Sequence, residues 1–290
     1  MKVLLTGGTG VVGRQLVTDL QRRNVEVRVV TRKAPERRSQ PSEAEFFVSD
    51  LLDPSSIRDA LKGIDKLFLL NPVTAEELTQ SLIVLGMAKR VGLEHITYLS
   101  VLAAERFPDV PHFAAKLAVE AALRHSKIPY TILRPGFYFQ NDLGLKDSIL
   151  EAGLYPLPIG SRGISGTDIR DIAEAAAITL TNAGHDGQTY CVVSSKPITG
   201  AGNAELWGRL LNREVRYAGH DFDRFEEKMQ AYTSNWEAYD MREMFEGFHE
   251  RGFVAPDPEI ARLTTLLNRR PRTYEQFASD AATRWLSETR

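Results

Sequence analysis

A chain of 290 residues, 43% of them hydrophobic, is long enough to bury one large core or two modest ones. Its 36 basic and 38 acidic residues leave a formal net charge of −2, which gives no electrostatic pull toward nucleic acid or a membrane surface. No apolar run nears the length of a bilayer span, the first strand begins at Lys2 rather than after a leader, and six scattered histidines show no metal-ligand spacing. The expectation is a cytoplasmic protein whose single Cys191, in an apolar strand, is a buried structural thiol.

Residues 2–6 form the first expected strand, with Val3, Leu4 and Leu5 as a continuous apolar run suited to a buried parallel sheet. It enters Gly7-Gly8-Thr9-Gly10-Val11-Val12-Gly13, after which Val12, Leu16, Val17 and Leu20 recur at helical spacing over 11–23. Strand, glycine turn and helix in this order suit a dinucleotide. The glycines permit the tight turn and close approach of backbone to a pyrophosphate, whose charge rests on the amides of the helix N-terminus. The second strand, 25–31, ends in Thr31-Arg32-Lys33 where an NAD enzyme would place a carboxylate for the ribose 2′-hydroxyl. A guanidinium fits a 2′-phosphate instead, so Arg32, with Lys33 behind it, points to NADP(H), while Arg37 and Arg38 read as a solvated loop. After the strand at 44–48, Asp50 is equally suited to an adenine contact and to a helix cap, though Asp53 is better placed to cap the helix at 54–62.

Further strands are expected at 66–70, 94–99 and 129–134, with helices at 75–91 and 112–126. Such alternation predicts an α/β Rossmann-type, doubly wound parallel sheet with its ligand at the carboxyl ends of the strands. Those ends carry Thr6-Gly7, Thr31-Arg32, Ser49-Asp50, Asn71-Pro72, Ser100-Val101 and Pro135-Gly136. Beyond Pro135 the pattern breaks into a Pro/Gly-rich connection, a helix at 169–181 and one more strand at 189–193. Residues 200–290 are mostly helical and rich in aromatics such as Trp207, Phe225, Tyr232, Tyr239 and Phe248, each favoured singly as core. The expected domains are a binding domain over 1–153, with 164–195 returning to the sheet, and a smaller, mainly helical C-terminal lobe over 196–290. On the helix at 112–126, His112, Lys116 and Glu120 share one stripe; Glu120 reads as a solvated residue, Lys116 as a functional one.

The glycine turn, Arg32, Leu70-Asn71-Pro72, Tyr98-Leu99-Ser100, His112-(x)3-Lys116-(x)3-Glu120 and Tyr130 to Gly136 together resemble the NmrA-like group of atypical short-chain dehydrogenases. Asp168 to Ala173 and Arg270 to Phe277 are similar to that group's later landmarks, so the likeness spans nearly the whole chain. The resemblance implies Gly7, Gly10, Val11, Val12 and Gly13 around the pyrophosphate and Arg32 at the 2′-phosphate. It also implies Asp50 and Leu51 at the adenine, Asn71 and Pro72 beside the ribose and nicotinamide, Lys116 at the nicotinamide ribose, and Pro135, Phe137 and Tyr138 closing over the ring, with Ser100 at its strand end as a further cofactor-binding candidate. Short-chain dehydrogenases place a proton-donating Tyr four residues before that Lys. Here His112 stands there, which disfavours alcohol dehydrogenation and nucleotide-sugar epimerisation. Hydride delivery to a quinone gives an acidic phenolate that water or His112 can protonate, and a triphenylmethane cation needs no proton. The group thus implies an NADPH-dependent reductase of flat, electron-poor small-molecule acceptors, or else a non-catalytic NADP(H)-binding redox sensor. The partners left open are a homodimer and, for a sensor, a protein.

Overall fold

The computed structural model describes residues 1–33 and 44–288; Arg37 and Arg38 lie outside that range. Strands β1 (Lys2–Leu5), β2 (Glu26–Thr31), β3 (Glu45–Val48), β4 (Lys66–Leu69), β5 (His95–Leu99) and β6 (Tyr130–Pro135) alternate with α1 (Val11–Gln21), α2 (Pro54–Ala60), α3 (Glu77–Val91) and α4 (Pro111–Ser126). The expected alternation is therefore present, with element ends moved by one or two residues. Later come β7 (Phe137–Tyr138), α5 (Lys146–Leu150), β8 (Leu154–Tyr155), β9 (Gly166–Thr167), α6 (Ile169–Thr181) and β10 (Gln188–Val192). The remainder is α7 (Gly200–Leu211), β11 (Arg216–Tyr217), α8 (Phe222–Gln230), α9 (Asn235–Arg251), α10 (Asp257–Leu267) and α11 (Tyr274–Glu288).

The main sheet has the order β10-β6-β5-β4-β1-β2-β3, and β1 to β6 pair in parallel. This is the doubly wound α/β arrangement, whose strand order reverses between β1 and β4. Contacts divide the chain into two compact units. The first holds residues 1–105, 112–134 and 169–190; the second holds 106–111, 135–168 and 191–290. Residues 135–153, grouped with the binding domain from sequence, belong to the second unit, where β7 pairs with β9 and β8 with β11. In the first unit Leu4, Leu67, Leu69, Ile96 and Ile132 of the sheet share a core with Ile57 of α2, Val84 and Ala88 of α3 and Val119 and Leu123 of α4.

In the second unit Trp207 stacks on Trp285 at 4.6 Å, and Phe107 meets Phe248 and Phe253 edge-on. Arg251 holds the segment 106–111 by a bidentate pair to Asp109 at 2.8 and 2.9 Å. Tyr232 and Tyr239 depart from the core expectation, being 89% and 45% exposed. Both lie on or beside α8 and α9, and α8 packs on α9 without burying any residue fully. Cys191 is buried, and no helix among the described residues is long and apolar enough to cross a membrane.

Asp142 is the centre of a buried polar cluster in this unit. Tyr155 donates to its Oδ1 at 3.1 Å, Tyr274 and Trp207 donate to Oδ2, and Asn203 donates to the Tyr155 hydroxyl. Burial pushes the Asp142 carboxyl up to about 6, and the three donors only partly oppose it. A raised acid in the folded state binds its proton when the unfolded chain has lost it, so stability falls as pH rises between roughly 4 and 6. Asp142→Asn should remove that dependence. Unfolding free energies from urea titrations, variant minus wild type, should be about 2–3 kcal/mol larger at pH 7 than at pH 4.

Candidate functional site

The carboxyl ends of β1, β2, β4 and β5 carry most of the sequence-selected residues. Thr6 staples β1 to β4 there, donating to Leu70 O at 2.9 Å and accepting from Leu70 N at 2.8 Å. Gly7 then takes φ +67°, a conformation that costs a residue with a Cβ, and its carbonyl accepts from Gly10 N at 3.1 Å. A Cβ on Gly13 would meet Gly7 O at 2.3 Å and Gly8 Cα at 2.5 Å; one on Gly8 would meet Val29 at 2.6 Å. Gly10 has only Gly7 O, at 3.4 Å, near its own added Cβ. The turn is packed tightly underneath and open at Gly10. Helix α1 starts there with Gly10 as its cap, no side-chain capping bond and no acid in its first turn. Helical geometry leaves the first amides without carbonyl partners, so Val11, Val12 and Gly13 present donors and a partial positive charge to an anion.

Arg32 and Lys33 are exposed just beyond β2, where Thr31 Oγ1 donates to Lys33 O at 2.9 Å and fixes the turn. After β3, Asp53 is the cap of α2, accepting from Ser55 N at 2.9 Å and Ser56 N at 3.2 Å. Asp50 instead accepts from Leu52 N at 2.9 Å, and remains exposed beside half-buried Leu51. Asn71, next to exposed Pro72, is buried; its amide donates to Gln80 at 3.3 Å, and its Oδ1 has no partner among the described residues. An orphaned acceptor one residue beyond the strand end that Thr6 staples to this open turn is what a bound polar ligand resolves.

The stripe on α4 corrects one expectation. Glu120 is not solvated but fully buried, and Ser100 donates to Oε1 at 2.6 Å. Arg134 adds two bonds of 2.8 Å, one to each oxygen, and Arg124 donates to Oε2 at 2.8 Å. Burial pushes the carboxyl up, but Arg134, Ser100 and Arg124 together hold it below the usual range. The reason is register: Phe113, Lys116, Val119, Glu120 and Leu123 make up the buried face of α4. His112 is buried as well, its ring edge-on to Phe113 at 4.6 Å. Lys116 does not pair with Glu120. Its ammonium donates to Glu77 Oε1 at 2.5 Å, with both side chains buried. Glu77 escaped the sequence reading, although the signal was available. Glu77, Ser81, Val84, Leu85 and Ala88 recur at helical spacing, which puts the acid on the inward face of α3.

Pro135, Phe137 and Tyr138 lie in the strands β6 and β7 that follow α4; Pro135 and Phe137 are buried and Tyr138 half-buried. They belong to the second unit, as does Gly136, whose amide donates to Thr167 Oγ1 at 2.8 Å.

Among known proteins, the NAD(P)H azoreductase of Xenophilus azovorans is 28% identical over 95% of this chain and 96% of its own. A crystal structure of an NADPH-dependent quinone oxidoreductase from Escherichia coli complexed with NADPH superposes with a TM-score of 0.85 at 23% identity, covering 96% of this chain and 99% of that one. The Citrobacter sp. triphenylmethane reductase complexed with NADP(H) gives a TM-score of 0.84 at 23% identity, over 97% and 100% of the two chains. At that identity the two structures attest the fold. The model of the NmrA-like family matches residues 1–278, and the chain belongs to that family.

Proposed function

We propose that this protein is an NADPH-dependent reductase that delivers hydride to a conjugated, electron-poor acceptor of the quinone or dye class. The observation that carries the reading is the glycine turn, packed so that Gly8 and Gly13 admit no Cβ while Gly10 and the amides of α1 stay open. The relative named NAD(P)H azoreductase supports the acceptor class, and the quinone oxidoreductase and triphenylmethane reductase share this chain's fold. In this reading Gly7, Gly10, Val11, Val12 and Gly13 bind the pyrophosphate and Arg32, aided by Lys33, takes the 2′-phosphate. Asp50 and Leu51 flank the adenine, while Asn71 and Pro72 border the ribose and ring. Lys116 holds the nicotinamide ribose, Ser100 lines the cofactor site at the end of β5, and Pro135, Phe137 and Tyr138 close over the ring. When bound, the dihydronicotinamide supplies the hydride. The chain's own contribution is orientation, with His112 or water supplying a proton to a reduced oxyanion where one forms.

The test is NADPH oxidation by purified protein across a panel of quinones and cationic or azo dyes. Turnover with at least one acceptor class is expected; tight NADPH binding without turnover on any of them sinks the reductase reading in favour of a sensor. Arg32→Ser should weaken NADPH about 10–100-fold, the worth of a charge-assisted bidentate contact. NADH affinity should stay within about threefold, because it lacks the phosphate that the fork grips. Equal loss for both coenzymes would remove Arg32 from the phosphate site.

A further inference from the structure

Two acid–cation pairs enter the interior of the first unit at α4, and they are built differently. Glu120 is saturated by Ser100, Arg124 and the two arms of Arg134. Glu77 reaches Lys116 from the first turn of α3, and its second oxygen, Oε2, has no partner among the described residues. The same holds for Ser81 Oγ, one turn further along α3, and for the buried hydroxyl of Tyr98 on β5. Moving an ammonium and a carboxylate out of water is expensive. Their attraction offsets the cost only when the remaining lone pairs and protons are also satisfied. Here they are not. An apolar pair of similar volume would serve the fold as well or better, so the Glu77–Lys116 pair is a poor device for stability. What it does supply is a fixed ammonium on a side chain that would otherwise sample many rotamers.

Resting on the reading of Lys116 as a coenzyme ligand, we propose that Glu77 is the positioning residue of that lysine, its buried carboxylate pinning the ammonium so that one fixed cation meets the ribose hydroxyls of the nicotinamide half. The inward register of α3 and the first-turn placement of Glu77, just after the Asn71-Pro72 strand end, put the acid at the edge of the sheet where Lys116 has to act. A glutamine keeps the shape and one acceptor but loses the counter-charge. An aspartate keeps the charge but draws the ammonium back by a methylene.

The experiment compares Glu77→Gln, Glu77→Asp, Lys116→Met and the double variant Glu77→Leu/Lys116→Met in the full chain. It measures NADPH affinity by fluorescence titration, NADPH oxidation with 1,4-benzoquinone, and thermal melting. Glu77→Gln and Glu77→Asp should each weaken NADPH binding and lower kcat about 10-fold or more, matching Lys116→Met within about threefold, since a displacement near 1 Å can cost about 100-fold. The KM for the quinone should stay within about twofold, and the double variant should be no worse than Lys116→Met while melting at or above wild type. A purely structural acid would lower melting and leave affinity and kcat of the folded protein alone. Either single Glu77 variant, folded and with wild-type NADPH affinity and kcat while Lys116→Met has lost both, overturns the proposal. If Glu77→Gln fails to fold, Glu77→Asp makes the same discrimination. If Lys116→Met itself binds and turns over normally, the reading of Lys116 fails and the positioning role falls with it. Should quinone turnover be absent throughout, NADPH affinity alone carries the comparison, and only the reductase reading is lost.

Discussion

Arg134→Met is expected to destabilise the first unit by about 3–5 kcal/mol, the cost of leaving a buried carboxylate without its main partner. Glu120 is fully buried, and Arg134 supplies two of its four hydrogen bonds at 2.8 Å, one to each oxygen. Arg124 cannot take over, because its own side chain is 43% exposed and already bonded to Oε2. Met matches the stem of Arg, so lost packing is small and the deficit is electrostatic. The pH sign follows from the depressed carboxyl of Glu120 in the folded state. Its stabilising contribution is present above the unfolded carboxylate range and is lost as pH falls through the folded value. The gap between wild type and variant should accordingly narrow as pH falls, because the variant's unpaired carboxyl protonates first, and close only once pH passes below the depressed wild-type value. Urea denaturation at pH 7 and pH 3.5 measures it. A gap below about 1 kcal/mol at pH 7 would mean that Ser100 and Arg124 suffice.

Gly13→Ala is expected to abolish coenzyme binding and to damage the fold at once. The new Cβ would sit 2.3 Å from Gly7 O and 2.5 Å from Gly8 Cα, both backbone atoms with no side-chain torsion to yield. Relief requires the turn to open, at about 1–3 kcal/mol or more. The displaced amides of α1 then no longer converge on an anion, and NADPH affinity should drop about 100-fold or beyond. Gly10→Ala separates the two effects, since its nearest neighbour is 3.4 Å away. That variant should melt within about 2–4 °C of wild type, a change of about 1 kcal/mol, yet bind NADPH poorly because the methyl intrudes where the pyrophosphate rests. Unchanged binding by a well-folded Gly10→Ala would move the pyrophosphate away from this turn.

Local features were legible in the sequence; partnerships across the fold were not. The glycine turn, the strand ends and the Asp53 cap depend on residues within a few positions of one another, so spacing alone identifies them. Glu120 was misread because helical periodicity tells which residues share a stripe but not whether that stripe faces water. The answer lay in Ser100 and Arg134, brought from the ends of neighbouring strands β5 and β6. Lys116 was identified as a candidate, yet its partner Glu77 lies 39 residues away on another helix and no local pattern links them. Residues 135–153 follow the same logic: their short ladder, 137–138, pairs with residues 166–167, which spacing does not reveal.

The β6 edge of the main sheet has a consequence for synthesis. Its neighbour β10 arrives only after residues 136–187 have been made, a stretch that includes most of one excursion into the second unit. At ordinary elongation rates a nascent chain therefore carries an open, apolar strand edge for a few seconds. During that interval β6, with Ile132 and Leu133 fully buried in the finished sheet, can pair with another nascent copy. Chain release stalled within this window should leave truncated products that aggregate, and shortening the delay should raise the soluble yield.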